Sequence, residues 1–134
     1  MDKEILNIAL NSKNLSFLPN HTHYTKLKNK ACGDEIKIYL VVKKGKIVNF
    51  KYEGESCIYS QASASLLSRS IINKPISEIE SLLKISNERF KKKINKTNKD
   101  WDKFLKLINK NNFLRKDCLL LPVKATIKAL KNSC

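Results

Sequence analysis

The stretch from Ile36 to Tyr52 leaves little freedom in what this chain can build. Ile36, Ile38, Leu40 and Val42 alternate with Lys37, Tyr39, Val41 and Lys43, a period of two that places the first set on one side of a strand. Lys44-Gly45 follows, where glycine supplies the positive φ that a tight hairpin turn requires. The return run from Ile47 carries Val48, Phe50 and Tyr52 on one face. A hairpin must cover its apolar side, and the rest of the sequence offers helices to do so.

Asp2 to about Asn11 reads as a short helix capped by Asp2, with Ile5, Leu6, Ala9 and Leu10 on a shared face. A second helix enters at Cys57 and runs to about Ile72. Its Ala62-Ser63-Ala64-Ser65 run keeps it thin enough for another backbone to come close. Ser77 and Glu80 form a capping box for a third, with Ile79, Leu82 and Leu83 facing inward. Trp101, Phe104, Leu105 and Ile108 fall at i, i+3, i+4 and i+7, which predicts an amphipathic helix with Trp101 in the core. The last helix is predicted near Leu119, with Pro122 in its first turn and Val123, Ile127 and Leu130 on one face. Asn14 to Lys30 is polar and reads as irregular. The expected fold class is α+β, a small antiparallel sheet of about three strands packed against several helices.

At 134 residues, a single domain spanning residues 1–134 is expected. No apolar run approaches a membrane span, and Met1-Asp2-Lys3-Glu4 places acids where a signal peptide needs basic residues. The expected location is therefore the cytoplasm, where four cysteines point to metal or redox chemistry rather than disulfides. Twenty-seven Lys and Arg against twelve Asp and Glu give a net charge of +15. Such a balance raises a zinc-stabilised nucleic-acid-binding module as the alternative function. The basic residues are nearly all lysine among many asparagines, so a solvated lysine face is the plainer reading and no specific nucleic acid is expected. No Ser/His/Asp set, phosphate loop or paired carboxylate site marks an independent enzyme.

Chemistry concentrates at the cysteines. Cys32-Gly33-Asp34 precedes the first hairpin strand, and Gly33 permits a tight turn there. Cys57 and Cys118 each lie just before a predicted helix, where free N–H groups and the positive end of the dipole favour thiolate. Three thiols and the Asp34 carboxylate make one tetrahedral set for a thiophilic metal, with the harder oxygen as the exchangeable ligand. Buried cysteines packed as small hydrophobes are the alternative. His21 and His23 read as exposed loop residues, Cys134 as a mobile surface thiol, and Asp117 as a plain charge at a helix start.

Ala31-Cys32-Gly33-Asp34, Glu53-Gly54-Glu55-Ser56-Cys57 with Ser60 and Ala62 to Ser65, and Arg115-Lys116-Asp117-Cys118 occur in this order. With these motifs the chain resembles the NifU-N/IscU family of iron–sulfur cluster scaffold proteins, and most of all its SufU branch. The resemblance spans roughly Tyr24 to Leu130. IscU-type members carry His before the third cysteine where this chain has Asp117, and their Leu-Pro-Pro-Val-Lys chaperone signal is absent upstream of Cys118. The resemblance implies zinc held by Cys32, Asp34, Cys57 and Cys118, or a transient iron–sulfur cluster on Cys32, Cys57 and Cys118. It implies Cys32 or Cys118 as acceptor of persulfide sulfur from a SufS-type cysteine desulfurase. Downstream iron–sulfur recipients and a monomeric or weakly dimeric state complete the expectation.

Overall fold

The computed structural model describes residues 3–10, 16–29, 33–92 and 101–131; Cys32 and Cys134 lie outside them. Three strands, β1 (His23–Lys28), β2 (Glu35–Lys43) and β3 (Lys46–Glu53), form an antiparallel sheet in the order β1-β2-β3. Helices α1 (Lys3–Leu10), α2 (Ile58–Ser70), α3 (Ser77–Lys92), α4 (Asp102–Leu105) and α5 (Lys116–Lys131) accompany it, with a 3-10 turn at Lys110–Arg115. The main core joins Ile36, Ile38, Leu40, Ile47, Phe50 and Tyr52 of the sheet to apolar residues of the helices. This is the α+β arrangement expected.

The hairpin turn uses both residues: Lys44 (φ 52°) and Gly45 (φ 75°) are left-handed, as a primed turn requires. The return strand corrects the alternation read from the sequence. A bulge shifts the register, pairing Val41 with Asn49 but Val42 with Ile47. One unpaired residue reverses the side-chain phase, so Ile47 points into the core with Phe50 and Tyr52 while Val48 is exposed.

The third strand lies in a stretch that reads as irregular. β1 has few apolar side chains to reveal it, yet it pairs along its whole length with β2, Thr25 opposite Ile38 and Leu27 opposite Ile36. As an edge strand it needs burial on little of its surface. His23 therefore sits in a strand and His21 is half-buried, its ring nitrogen 2.7 Å from the Leu18 carbonyl, so neither is an exposed loop residue. Phe17, His21, Tyr24 and Tyr39 pack as rings on the face away from the main core. Burial and the Glu53 carboxylate that accepts a hydrogen bond from the Tyr39 hydroxyl push the Tyr39 phenol pKa up.

Two helices also differ from expectation. In α1, Ile5 and Ala9 are buried but Leu6 and Leu10 face out, the apolar stripe being rotated toward Ile8. Trp101, Phe104, Leu105 and Ile108 are all buried as the spacing predicts, but α4 stops at Leu105. Buried Arg89 of α3 supplies the reason: its guanidinium donates to the Leu105 carbonyl (3.0 Å) and the Ile108 carbonyl (2.7 Å). These carbonyls are satisfied without a continuing helix. Burial lowers the Arg89 pKa, but a guanidinium stays charged in proteins. Arg89→Met is expected to lower unfolding stability by about 2–4 kcal/mol, because two charge-assisted bonds go and the Ile108 carbonyl loses its donor, while the Leu105 carbonyl keeps the Ile108 N–H. A urea midpoint indistinguishable from wild type would refute this role.

Candidate metal centre

Three elements converge at one end of α2. The connection from β1 to β2 is drawn together by hydrogen bonds from the Asn29 N–H to the Asp34 carbonyl (2.7 Å) and from the Gly33 N–H to the Asn29 carbonyl (2.8 Å). Gly33 takes φ +79° in this turn. Asp34 is thereby delivered, nearly buried, at the start of β2.

From the other side, Gly54 ends β3 with φ +139°, and a Cβ there would lie 2.3 Å from the Glu35 carbonyl oxygen. Only glycine lets the chain pass so close to β2. The Glu35 N–H then bonds to the Glu55 carbonyl (2.8 Å), and the chain reaches Cys57, the N-cap of α2, beside Asp34. The Cys57 N–H donates to Asp34 Oδ1 at 3.0 Å. A cap position normally holds a side-chain acceptor; here Cys57 makes no side-chain cap bond.

Cys118 comes from α5. This helix begins at Lys116, not near Leu119, so Cys118 stands inside its first turn and Pro122 in its interior. Proline has no N–H to donate to the carbonyl four residues back, which is that of Cys118. The Ser60 hydroxyl lies 2.8 Å from that carbonyl, and Ser63 donates to the next one, of Leu119. Ser60 and Ser63, one turn apart on α2, thus let the backbone of α5 lie close, and the neighbouring Ala62, Ala64 and Ser65 are buried as well. At the rim, the Arg115 guanidinium stacks over the Tyr59 ring (5.2 Å) and Leu114 is fully exposed.

The outcome is a compact cluster. One carboxylate oxygen of Asp34 and the Sγ atoms of Cys57 and Cys118 all lie within 4.8 Å of one another. Cys57 is half-buried and Cys118 is buried. Zinc–sulfur bonds of about 2.3 Å and zinc–oxygen bonds of about 2.0–2.2 Å set tetrahedral ligand atoms about 3.5–3.8 Å apart. Modest side-chain rotation closes the gap, and a two-sulfur, one-oxygen donor set suits that ion. Of the four residues singled out in the sequence, three come together; Cys32, two residues before Asp34, falls outside the described residues. His21 and His23 are not part of this cluster. Two contributors carry weak signals in the sequence: Gly54, a glycine after a strand within the Glu53 to Cys57 motif, and Pro122, whose spacing of four from Cys118 is the clue to a stranded carbonyl.

A three-stranded sheet backed by helices, with two thiols and a carboxylate gathered at the start of α2 where they could hold a metal ion, defines the class of this domain. The chain belongs to the NifU-like N-terminal domain family, whose sequence model matches residues 1–106. Cys118 lies beyond that match, so its place in the cluster comes from the packing of α5. The chain is 43% identical over 79 residues to the iron–sulfur cluster assembly scaffold protein IscU of Thermotoga maritima, covering 59% of this chain and 56% of that protein. It is 34% identical over 62 residues to the zinc-dependent sulfurtransferase SufU of Bacillus subtilis, covering 46% and 42%. The matched stretch thus spans about half the length of these two relatives. A Borreliella burgdorferi protein of unassigned role is 32% identical across 93% of this chain and 86% of its own. In three dimensions the fold is similar to a Fervidobacterium islandicum protein described as an iron–sulfur cluster assembly scaffold for the SUF system. The TM-score is 0.85 at 27% identity, covering 97% of this chain and 96% of that one. No helix among the described residues is long and apolar enough to cross a membrane.

Proposed function

We propose that this chain is an iron–sulfur cluster assembly protein that accepts persulfide sulfur from a cysteine desulfurase of the SufS type and passes it on. It acts as a single cytoplasmic domain, monomeric or weakly dimeric. The observation that carries this reading is the convergence of Asp34, Cys57 and Cys118 from three separate elements. Similarity to a scaffold protein and to a zinc-dependent sulfurtransferase supports it.

Cys32, two residues before Asp34 in the chain, completes a Cys₃Asp set for zinc. When bound, zinc keeps the thiols deprotonated and shielded from oxidation. The chain's residues do the rest. The thiolate of Cys32 or Cys118 attacks the terminal sulfur of the desulfurase persulfide. A new S–S bond forms, the desulfurase S–S bond breaks, and the desulfurase cysteine leaves as thiolate, with no net oxidation or reduction. Cys118 is buried, so its reaction requires the cluster to open, and Asp34 is the ligand best suited to leave. On the scaffold variant of this reading, Cys32, Cys57 and Cys118 hold a nascent cluster as cargo for downstream recipients.

Metal and acid-labile sulfide content of anaerobically purified protein tests this, together with stimulation of a SufS-type desulfurase. About one zinc per chain without sulfide, and stimulation lost in Cys32→Ser or Cys118→Ser, is the expected result. Iron with sulfide would establish the scaffold variant. Absence of any metal, with stimulation unchanged in all three cysteine variants, would overturn the reading.

A further inference from the structure

Ser60 is completely buried in the first turn of α2, and its hydroxyl reaches all three described members of the cluster. It lies 3.0 Å from Asp34 Oδ2, 2.8 Å from the Cys118 carbonyl oxygen and 3.8 Å from Cys57 Sγ. A serine hydroxyl has one proton to donate. A carboxylate and a carbonyl can only accept, so both geometries suit donation but only one can receive the proton at a time. The two choices have different consequences for Asp34.

When Ser60 donates to Asp34, both carboxylate oxygens are held, Oδ1 by the Cys57 N–H and Oδ2 by the hydroxyl. The carboxylate plane is then set relative to the thiols. When the hydroxyl turns to the Cys118 carbonyl, it supplies the donor that Pro122 cannot, and its hold on Oδ2 is released. The alternative acceptor exists because the helix interrupts its own ladder at the residue four beyond Cys118.

We propose that Ser60 is a positioning residue for the metal site: its hydroxyl alternates between Asp34 and the Cys118 carbonyl and so sets how firmly, and for how long, Asp34 holds the ion. This rests on the zinc reading of the same cluster. Ser63 provides an internal control, because it makes the same kind of hydroxyl-to-carbonyl bond from α2 to α5, at Leu119, which is not a cluster residue.

The test is zinc affinity and zinc release rate, measured with Zn²⁺ and a competing chelator on the full chain, for wild type, Ser60→Ala, Ser63→Ala, Asp34→Ala and the Ser60→Ala/Asp34→Ala double variant. Loss of a hydrogen bond that orients a metal ligand typically weakens binding about 10- to 100-fold. Ser60→Ala is expected to show a loss of that size with faster release, while Ser63→Ala lowers thermal stability but binds zinc within about twofold of wild type. In the Asp34→Ala background, Ser60→Ala is expected to add less than about twofold, because the residue acts through that carboxylate. Equal zinc affinity in Ser60→Ala and Ser63→Ala would overturn the proposal. So would a full Ser60→Ala effect without Asp34. A wild-type chain that binds no zinc would instead overturn the metal reading itself, and this inference with it.

Discussion

Cys118→Ser is expected to weaken zinc binding by about 10²–10³-fold while leaving the far-UV circular dichroism of the folded chain in place. Structural zinc sites bind with about 10–16 kcal/mol, so each of four ligands accounts for about 2.5–4 kcal/mol. Cys118 is anchored in the first turn of a 16-residue helix whose Leu119, Leu120 and Val123 are buried in the core. Replacing one sulfur with oxygen leaves that packing intact, so metal loss and unfolding should separate. Cys57→Ser should behave alike in affinity, because Cys57 is placed by its backbone: its N–H holds Asp34 whatever the side chain. Chelator competition reads the affinity and circular dichroism the fold. Zinc binding within about threefold of wild type in Cys118→Ser would remove this residue from the ligand set. Unfolding of the variant would mean that the metal is structural rather than exchangeable.

The largest effect on stability is expected from a residue that touches no metal. Gly54→Ala should cost about 2–6 kcal/mol, against a total of about 7–20 kcal/mol for a chain of this length. The backbone at φ +139° is strained for any side chain, at about 1–3 kcal/mol. The added Cβ also meets the Glu35 carbonyl oxygen at 2.3 Å and the Ile36 Cα at 3.0 Å. Both are backbone atoms of β2 and cannot swing aside, so the strands must part, at about 1–3 kcal/mol more. Gly33→Ala offers the comparison. Its φ is +79°, but nothing lies within 4 Å of the place its Cβ would take, so only about 1–2 kcal/mol is expected. Urea unfolding of the two variants side by side gives the answer. Equal losses would show that backbone strain alone, not the close approach of β3 to β2, makes Gly54 necessary. Gly54→Ala should also weaken zinc binding, because the same contact sets Glu55 to Cys57 beside Asp34.

Local pattern is legible wherever one residue's neighbours in sequence are also its neighbours in space. The hairpin, its Lys44-Gly45 turn and the thin face of α2 follow from spacing and residue size. So does the burial of Trp101, Phe104, Leu105 and Ile108. The pattern fails where a distant partner intervenes. Val48 turns outward because of a bulge at Val41/Val42, which no alternation rule contains. α4 ends early where Arg89, in another helix, takes its last carbonyl, that of Leu105, and the Ile108 carbonyl beyond it. β1 is hidden in the sequence because an edge strand with pairing on one side needs few apolar residues, and its register is supplied by β2.

The site divides along the same line. Its donor chemistry belongs to the sequence: three cysteines and an aspartate, set at turns and helix starts, can be recognised with no coordinates, because residue type alone decides which atoms can bind a soft metal. The meeting of Asp34, Cys57 and Cys118 belongs to the tertiary structure. Asp34 and Cys57 are 23 residues apart and Cys118 is a further 61 along, so no local rule relates them. The Gly54 crossing and the packing of α5 on the serines of α2 bring them within 4.8 Å. Ser60 shows the division most sharply: in sequence it is a small residue of the motif after Cys57, and only the fold gives its single proton two acceptors.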